Sequence, residues 1–242
     1  MNWQIRVSKD REELSRAAAQ ELARIAGLAV ASRGRFDLAL AGGHTPQVLY
    51  EILAAEYRER IDWKRTHLFW GDERYVAAED PLSNYRMVRE SLIEPLGPLA
   101  LPPENVHPLP TTFADPDVAA QDYEKFLLAH FGAVGPRFDL VLLGIGPEGH
   151  TASLFPNSPA LEEKVRWVVP VRVNAQPPLR LTLTLRAINA AENVFFLVSG
   201  ADKREIVARL LAQGPEGFSE YPASLVRPEG RVMLFLDQAA KP

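Results

Sequence analysis

Cysteine is absent from this chain of 242 residues, which excludes disulfide bonds, thiolate-bound zinc and a cysteine nucleophile. No apolar run approaches the ~20 residues that a membrane-spanning helix needs. The charged amino terminus, MNWQIRVSKDREE, lacks the apolar segment of a signal peptide. The net charge of −4 disfavours nucleic acid as a partner. We therefore expect a soluble cytoplasmic protein that binds neither membranes nor nucleic acids.

Several catalytic motifs are missing as well. There is no Walker A sequence, so chemistry on nucleoside triphosphates is not expected. Ser153 does not lie in a G-x-S-x-G elbow, so no serine nucleophile is specified. No two histidines have H-x-x-x-H spacing, and we interpret His67, His107 and His130 as structural or surface residues. A metal site therefore has little support in the sequence.

The hydrophobic pattern alternates between strands and helices. Predicted strands cover residues 3–7, 36–41, 67–70, 138–145, 165–173, 179–186, 193–199 and 231–236. Predicted helices cover residues 14–26, 46–57, 83–93, 118–131 and 201–213, and the first follows a capping box at Asp10-x-x-Glu13. A proline-rich irregular connection covers 95–117. This order predicts an α/β fold, with a mainly parallel Rossmann-like sheet, helices on both faces and a small additional β region near 165–186. Without a repeat or linker, we expect a single domain over 1–242.

The segment 138–156, FDLVLLGIGPEGHTASLFP, combines a buried strand with a glycine-rich turn. The turn contains Gly146 and Gly149, and His150 and the expected start of a short helix follow. His150 is therefore predicted at the carboxyl end of a strand, where open α/β sheets bind ligands. Because imidazole transfers protons near neutral pH, His150 is the candidate general base.

The same turn also fits the G-x-G-x-x-G pattern of dinucleotide-binding folds. Pro147 lies inside the turn, and Pro156 limits the next helix to about two turns. A dinucleotide-binding unit needs a full crossover helix at this point. We therefore do not expect a nicotinamide or flavin cofactor.

The loop after the second predicted strand reads Gly42-Gly43-His44-Thr45-Pro46. We expect Thr45 to cap the next helix, with Pro46 in its first turn. Unpaired amides and the helix dipole would then favour a bound anion, and His44 is a further candidate contact. A tight, well-capped turn without a ligand explains this loop equally well.

Charged residues follow two other predicted strands. Asp72 and Arg74 come after strand 67–70, and Arg74 can hold a phosphate through two hydrogen bonds. Lys203 begins the helix after strand 193–199, where its charge opposes the helix dipole unless an anion binds. Asn84 and Arg180 are additional candidates for substrate binding. Solvated surface turns are the alternative interpretation.

These segments together resemble the 6-phosphogluconolactonase family. The resemblance rests on motifs in matching order, at residues 41–46, 71–74, 83–84, 144–156, 180–184, 198–203 and 221–224. The G-D-E-R and G-H-T-A-S-L-F-P runs are the most specific in combination. Two positions differ, since Glu148 stands where the family usually has Asp, and His44 where it usually has Ser.

The resemblance implies hydrolysis of 6-phospho-D-glucono-1,5-lactone to 6-phospho-D-gluconate in the oxidative pentose phosphate pathway, with no cofactor and no essential metal. The phosphorylated lactone would be the small-molecule partner, and we expect a monomer. In this interpretation His150 activates water, and amides of the 144–149 turn face the developing oxyanion. Arg74, Lys203 and the amides of Gly43 to Thr45 hold the phosphate. Asp72 positions a sugar hydroxyl or His150.

Two other functions remain open. One is a glucosamine-6-phosphate deaminase or sugar-phosphate isomerase of the same fold, although the L-F-P after G-H-T-A-S disfavours it. The other is a non-catalytic sugar-phosphate sensor. Such regulators normally carry a DNA-binding segment, and the acidic composition argues against one here.

Overall fold

A computed structural model describes residues 3–212 and 220–242 of the chain. Its strands are β1 (Gln4–Ser8), β2 (Phe36–Leu40), β3 (Thr66–Trp70), β4 (Asp72–Arg74), β5 (Val106–His107), β6 (Leu140–Leu143), β7 (Val168–Arg172), β8 (Leu179–Leu183), β9 (Asn193–Val198) and β10 (Arg231–Asp237). Its α-helices are α1 (Arg11–Arg33), α2 (His44–Glu56), α3 (Asn84–Val88), α4 (Glu94–Leu96), α5 (Pro116–Phe131), α6 (Leu185–Asn189) and α7 (Arg204–Ala212). The predicted alternation of strands and helices is confirmed.

A seven-stranded sheet in the order β1-β10-β9-β6-β2-β3-β5 forms the centre of the fold. Every neighbouring pair in it is parallel. The chain runs from β2 towards β3 and β5, and then returns to β6 on the other side of β2. The strand order therefore reverses between β2 and β6. In open α/β sheets, the crevice at the carboxyl ends of the strands beside such a reversal is the usual ligand site.

Helices cover both faces of this sheet, as predicted. Phe69 and Trp70 are neighbours on β3 and are both fully buried, so their side chains point to opposite faces. The Trp70 ring packs against Tyr85 of α3, whereas the Phe69 ring packs against Phe126 and Phe131 of α5. Burying one such side chain contributes about 1.5–3 kcal/mol, so both layers hold the site in place.

A smaller antiparallel sheet in the order β4-β8-β7 confirms the additional β region predicted near 165–186. Its β4 strand was not predicted, because three charged or polar residues after β3 read as a turn. The expected strand 179–186 ends earlier, since the Thr184 side chain accepts a hydrogen bond from the Ala187 amide and caps α6.

The ends of α1 show how local sequence sets its length. Asp10 accepts a hydrogen bond from the Glu13 amide at 2.9 Å, while the Glu13 carboxylate accepts one from the Lys9 amide at 2.6 Å. This is close to the predicted capping box, in which the second bond returns to the cap residue itself. The helix ends at Gly34, whose φ of +78° favours glycine.

Several local predictions were wrong. Residues 151–154 form a tight turn closed by a Thr151–Leu154 bridge rather than the start of a helix. Helix 83–93 is α-helical only over α3 and continues as a π-helical turn, Arg89–Ile93. The irregular connection 95–117 contains the edge strand β5. Residue 213, the predicted end of the last helix, lies outside the described residues. Among residues 3–212 and 220–242, no helix is both long and apolar enough to cross a bilayer.

Candidate active site

A crevice of about 430 Å³ lies at the carboxyl ends of β9, β6, β2 and β3, beside the reversal in strand order. All of the site residues predicted from the sequence line it except Gly149. A larger groove of about 690 Å³ lies elsewhere, between α2 and the segment around α3, and none of the predicted site residues lines it. The crevice at the strand ends is therefore the candidate active site.

His150 is held in the crevice by close packing. Its ring stacks on Phe155 with centroids 4.1 Å apart and planes at 16°. On another side it lies so close to Gly146 that a Cβ at that glycine would be 2.0 Å from Nδ1. Nδ1 is buried and lies 3.1 Å from the Glu148 carboxylate. This arrangement fixes the ring and leaves Nε2 as the nitrogen for proton transfer.

The surroundings keep the His150 ring neutral near pH 7. Burial lowers the pKa of His150 below its ordinary value of 6.5, and the charge of Arg180 acts in the same direction. The carboxylates of Glu148 and Asp72 partly oppose this effect. A neutral imidazole can accept a proton, and the two carboxylates would then stabilise the charged ring.

Asp72 is a buried carboxylate fixed by its neighbours. Ser153 donates a hydrogen bond to Asp72 Oδ2 at 2.6 Å, and Asn84 Nδ2 donates one to the Asp72 carbonyl at 2.9 Å. Asn84 reaches this position only because residue 42 is glycine, where a Cβ would be 1.9 Å from Asn84 Oδ1. The predicted contribution of Gly42 and Asn84 is thus at least structural, because they hold Asp72 at the crevice.

Glu73, which was not among the predicted site residues, joins strand β4 to the start of α3. Its carboxylate accepts hydrogen bonds from the amides of Arg74, Asn84 and Tyr85 and from the Ser83 hydroxyl. Burial raises its pKa above the ordinary value, although these amides oppose the shift. A charged residue next to an aspartate in a turn gives no sequence signal for this internal role.

The amino terminus of α2 points its first amides into the crevice region. Gly43, with a φ of +102°, takes the cap position that was predicted for Thr45, and no side chain caps the helix. The amides of His44 and Thr45 therefore have no carbonyl within the helix to bond. The loop is anchored by the buried Tyr50 hydroxyl, which bonds both the amide and the carbonyl of Ala41. The result is a rigid pair of N–H donors.

Two arginines line one side of the crevice. Arg74 and Arg180 are directly opposite each other on β4 and β8. Arg74 donates a hydrogen bond to the Leu82 carbonyl at 2.6 Å, while its Nε has no partner among the described residues. Burial lowers the pKa of Arg180, whose guanidinium lies 5.9 Å from the centre of the Phe155 ring. Two neighbouring guanidinium groups favour a bound anion.

Lys203 and Arg11 line the crevice at the β9 end. The charge of Lys203 contributes to lowering the pKa of Glu148, although burial of that carboxylate opposes the shift. Lys203 therefore lies near the group that contacts His150. Arg11, which was not predicted, donates a hydrogen bond to Ser199 at 3.1 Å. Arg11 lies at the start of α1, far from Ser199 in sequence, so the sequence did not indicate that it reaches the crevice.

Two amides of the 144–149 turn donate hydrogen bonds to nearby carbonyls of the same segment. The Gly146 amide donates to the His150 carbonyl at 2.8 Å, and the Gly149 amide donates to the Gly146 carbonyl at 2.9 Å. These two N–H groups are occupied, so neither of them is available to an oxyanion. Gly149 has a φ of +80°, and a Cβ there would be 2.9 Å from the Tyr221 side chain. It shapes the turn without reaching the crevice.

Comparison with known proteins gives one consistent result. The family model for glucosamine-6-phosphate isomerases/6-phosphogluconolactonase matches residues 9–235. A 6-phosphogluconolactonase from Synechocystis sp. is 43% identical over 88% of this chain and 86% of its own. One from Mycobacterium tuberculosis is 39% identical over 100% and 99%. The structure of 6-phosphogluconolactonase from Trypanosoma brucei covers 99% of this chain and 97% of its own, with 33% identity and a TM-score of 0.85.

Proposed function

Because the chain belongs to the glucosamine-6-phosphate isomerase/6-phosphogluconolactonase family, we propose that it hydrolyses 6-phospho-D-glucono-1,5-lactone to 6-phospho-D-gluconate. The observation that carries this proposal is the crevice itself. It combines a neutral, fixed imidazole with cationic side chains and free helix amides. Both relatives described above are named 6-phosphogluconolactonase, and this chain covers 86% and 99% of their lengths.

In the proposed reaction, His150 Nε2 takes a proton from a water molecule as that water attacks the lactone carbonyl carbon. The ring oxygen then leaves that carbon and receives the proton from His150, which completes the hydrolysis. Asp72 and Glu148 stabilise the charged imidazole while it exists, because both carboxylates raise the pKa of His150. A δ-lactone is an activated ester, so this assistance is sufficient without a covalent intermediate.

The developing negative charge on the carbonyl oxygen needs a donor other than the amides of Gly146 and Gly149. We assign this role to Arg180, whose charge acts on the His150 ring and whose guanidinium lies beside Phe155. A partly buried guanidinium stabilises an oxyanion more strongly than one in water does.

The phosphate is held by Arg74, Lys203 and the amides of His44 and Thr45. They come after the carboxyl ends of three strands of the seven-stranded sheet, since His44 and Thr45 follow β2, Arg74 follows β3 and Lys203 follows β9. All four line the crevice, so they face it from several sides. Binding of the phosphate, which does not react, holds the lactone carbonyl carbon close to His150. The binding energy of the phosphate is thus used to orient the reacting group.

A pH-stat assay with freshly prepared lactone tests the reaction. The wild-type chain should release acid far faster than the spontaneous hydrolysis, and His150→Ala should lower turnover by ~10² to 10⁴ with an unchanged melting temperature. Normal turnover by His150→Ala would remove this histidine from the mechanism. No lactone turnover by the wild type would refute the function itself.

The phosphate assignment has its own test. Lys203→Ala and Arg74→Ala should raise KM for the 6-phosphorylated lactone and leave the weak activity on unphosphorylated gluconolactone nearly unchanged. Lys241→Ala, at an exposed position away from the crevice, is the matched control. Equal losses on both substrates would contradict phosphate binding by these residues.

The rival functions give different outcomes. Ammonia release from glucosamine 6-phosphate would indicate a deaminase. Stabilisation by 6-phosphogluconate without any lactone turnover would indicate a sensor.

We further propose that residues 1–242 form one domain, since both sheets contribute residues to one crevice. The chain is proposed to act as a monomer in the cytoplasm, with the phosphorylated lactone as its partner and without nucleic acid.

A further inference from the structure

Three histidines that are scattered in sequence meet on the β3–β5 side of the fold. His67 lies on β3, His107 on the edge strand β5 and His130 in the last turn of α5. One ring nitrogen of each lies within 4.8 Å of a ring nitrogen of both others. None of the three lines the candidate active site. The fold therefore creates a second cluster of metal-ligating side chains.

The spacing within the cluster suits a small divalent ion. His67 Nδ1 and His107 Nε2 are 3.1 Å apart and share a hydrogen bond, so an ion that binds both must displace the proton between them. A tetrahedral zinc ion with Zn–N bonds of 2.0–2.1 Å places its ligand nitrogens about 3.3 Å apart. The first two ligands thus already have nearly the required separation. The ligand nitrogen of His130 lies within 4.8 Å of both.

A carboxylate supports the third histidine from behind. Asp37 Oδ1 lies 2.8 Å from His130 Nε2, and the Asp37 side chain is only 4% exposed. Arg35 donates a hydrogen bond to the other carboxylate oxygen at 2.9 Å. Metal-bound histidines commonly have such a carboxylate on the second ring nitrogen, where it fixes the ring and strengthens the ligand. With Nε2 engaged by Asp37, Nδ1 would be the ligand atom of His130 in such a site.

The surroundings are apolar but open to solvent. The His107 ring packs against Phe69 and Phe126, with centroids 4.8 Å away in both cases. All three histidines are partly buried rather than enclosed, so an ion can enter.

We propose that His67, His107 and His130 bind one divalent transition-metal ion, of which Zn²⁺ is the best fit, with water as the fourth ligand. Three neutral imidazoles form a ligand set that zinc accepts, and no thiolate or carboxylate ligand is needed. The ion would tie the end of α5 to the neighbouring strands β3 and β5 of the central sheet. Its expected effect is on stability, because the cluster lies outside the catalytic crevice.

The test uses the full-length chain, stripped of metal with a chelator and then dialysed. Zinc binding is measured by equilibrium dialysis with elemental analysis, and the melting temperature is followed during titration with ZnCl₂. Co²⁺ serves as a spectroscopic probe, since a tetrahedral site gives intense visible absorption. The key variant is His107→Phe, because a phenyl ring suits the aromatic surroundings and keeps the protein folded. His44→Asn is the matched control, since it removes a histidine outside the cluster.

The expected result is one Zn²⁺ per chain for the wild type and for His44→Asn, with a higher melting temperature. His107→Phe should lose this binding and the zinc-dependent rise, while its metal-free melting temperature stays near that of the wild type. Asp37→Asn should weaken zinc binding ten- to hundredfold, as loss of an outer ligand partner does. Equal zinc affinity in the wild type and His107→Phe, or no bound zinc in the wild type, would overturn the proposal. Either outcome leaves the lactonase assay unaffected, so the two proposals fail separately.

Discussion

The substitution Gly146→Ala should displace the ring of His150, the proposed base, and so lower turnover although His150 itself is unchanged. A Cβ at this position would lie 2.0 Å from His150 Nδ1 and 2.1 Å from Cε1. Ordinary contacts of this kind begin at 3.4 Å, so the ring of Gly146→Ala must move by about 1.4 Å. The stack with Phe155 at 4.1 Å leaves no room for a simple retreat on that side. Because displacing a catalytic group by about 1 Å costs roughly 10²-fold, turnover should fall by at least ~10².

The assay for Gly146→Ala is kcat on the phosphorylated lactone, with the melting temperature measured in parallel. Gly144→Ala is the control for folding, because a Cβ there meets no described atom within 4 Å. The double variant Gly146→Ala/His150→Ala should be no slower than His150→Ala alone, since both changes remove the same function.

Two results would refute this reasoning. Near-normal kcat in Gly146→Ala would mean that the position of the His150 ring is not important for the reaction. A double variant that is much slower than His150→Ala would mean that Gly146 acts in some other way.

Three further changes test the groups around the base and the loop after β2. Glu148→Gln should lower the pKa of His150, because the Glu148 carboxylate raises that pKa. The acid limb of the kcat–pH profile should therefore move to lower pH. A shift of this limb to higher pH would contradict the assignment. Ser153→Ala removes the 2.6 Å hydrogen bond to buried Asp72 and should cost about 1–3 kcal/mol of unfolding free energy in urea titrations. Tyr50→Phe should destabilise the chain by a similar amount, since it leaves a buried amide and carbonyl without their shared hydroxyl, and unchanged urea midpoints would contradict this.

The fold was predictable where hydrophobic runs were long and strands alternated with helices. Strands such as β2 and β9 are buried along nearly their whole length, which the sequence shows directly. The short strands β4 and β5 were missed for a physical reason. Each has at most three residues and is stabilised by a distant partner, β8 or β3, rather than by its own pattern. Non-local pairing of this kind leaves no local signal.

The site was predictable because parallel strands align their carboxyl ends. Glycines, histidine or charge directly after β2, β3, β6 and β9 were enough to indicate a common crevice. Residues that reach the crevice from elsewhere gave no such signal, as Arg11 shows from the start of α1. The histidine cluster was missed for the same reason, since His67 and His107 are 40 residues apart and meet only through the pairing of β3 with β5.

The glycines in the crevice loops explain why their pattern was easy to misread. Glycine-rich loops after strands commonly expose amides to phosphate, and G-x-G-x-x-G is the usual sequence motif of such loops. Here Gly42 and Gly146 make room for side chains of other segments, Asn84 and His150 respectively, and neither has a positive φ. Only Gly149 in the 144–149 turn needs the left-handed conformation. A methyl group at Gly42 or Gly146 would therefore displace a neighbouring side chain and leave the backbone conformation unchanged. Each substitution should for this reason lower kcat more than it lowers the melting temperature.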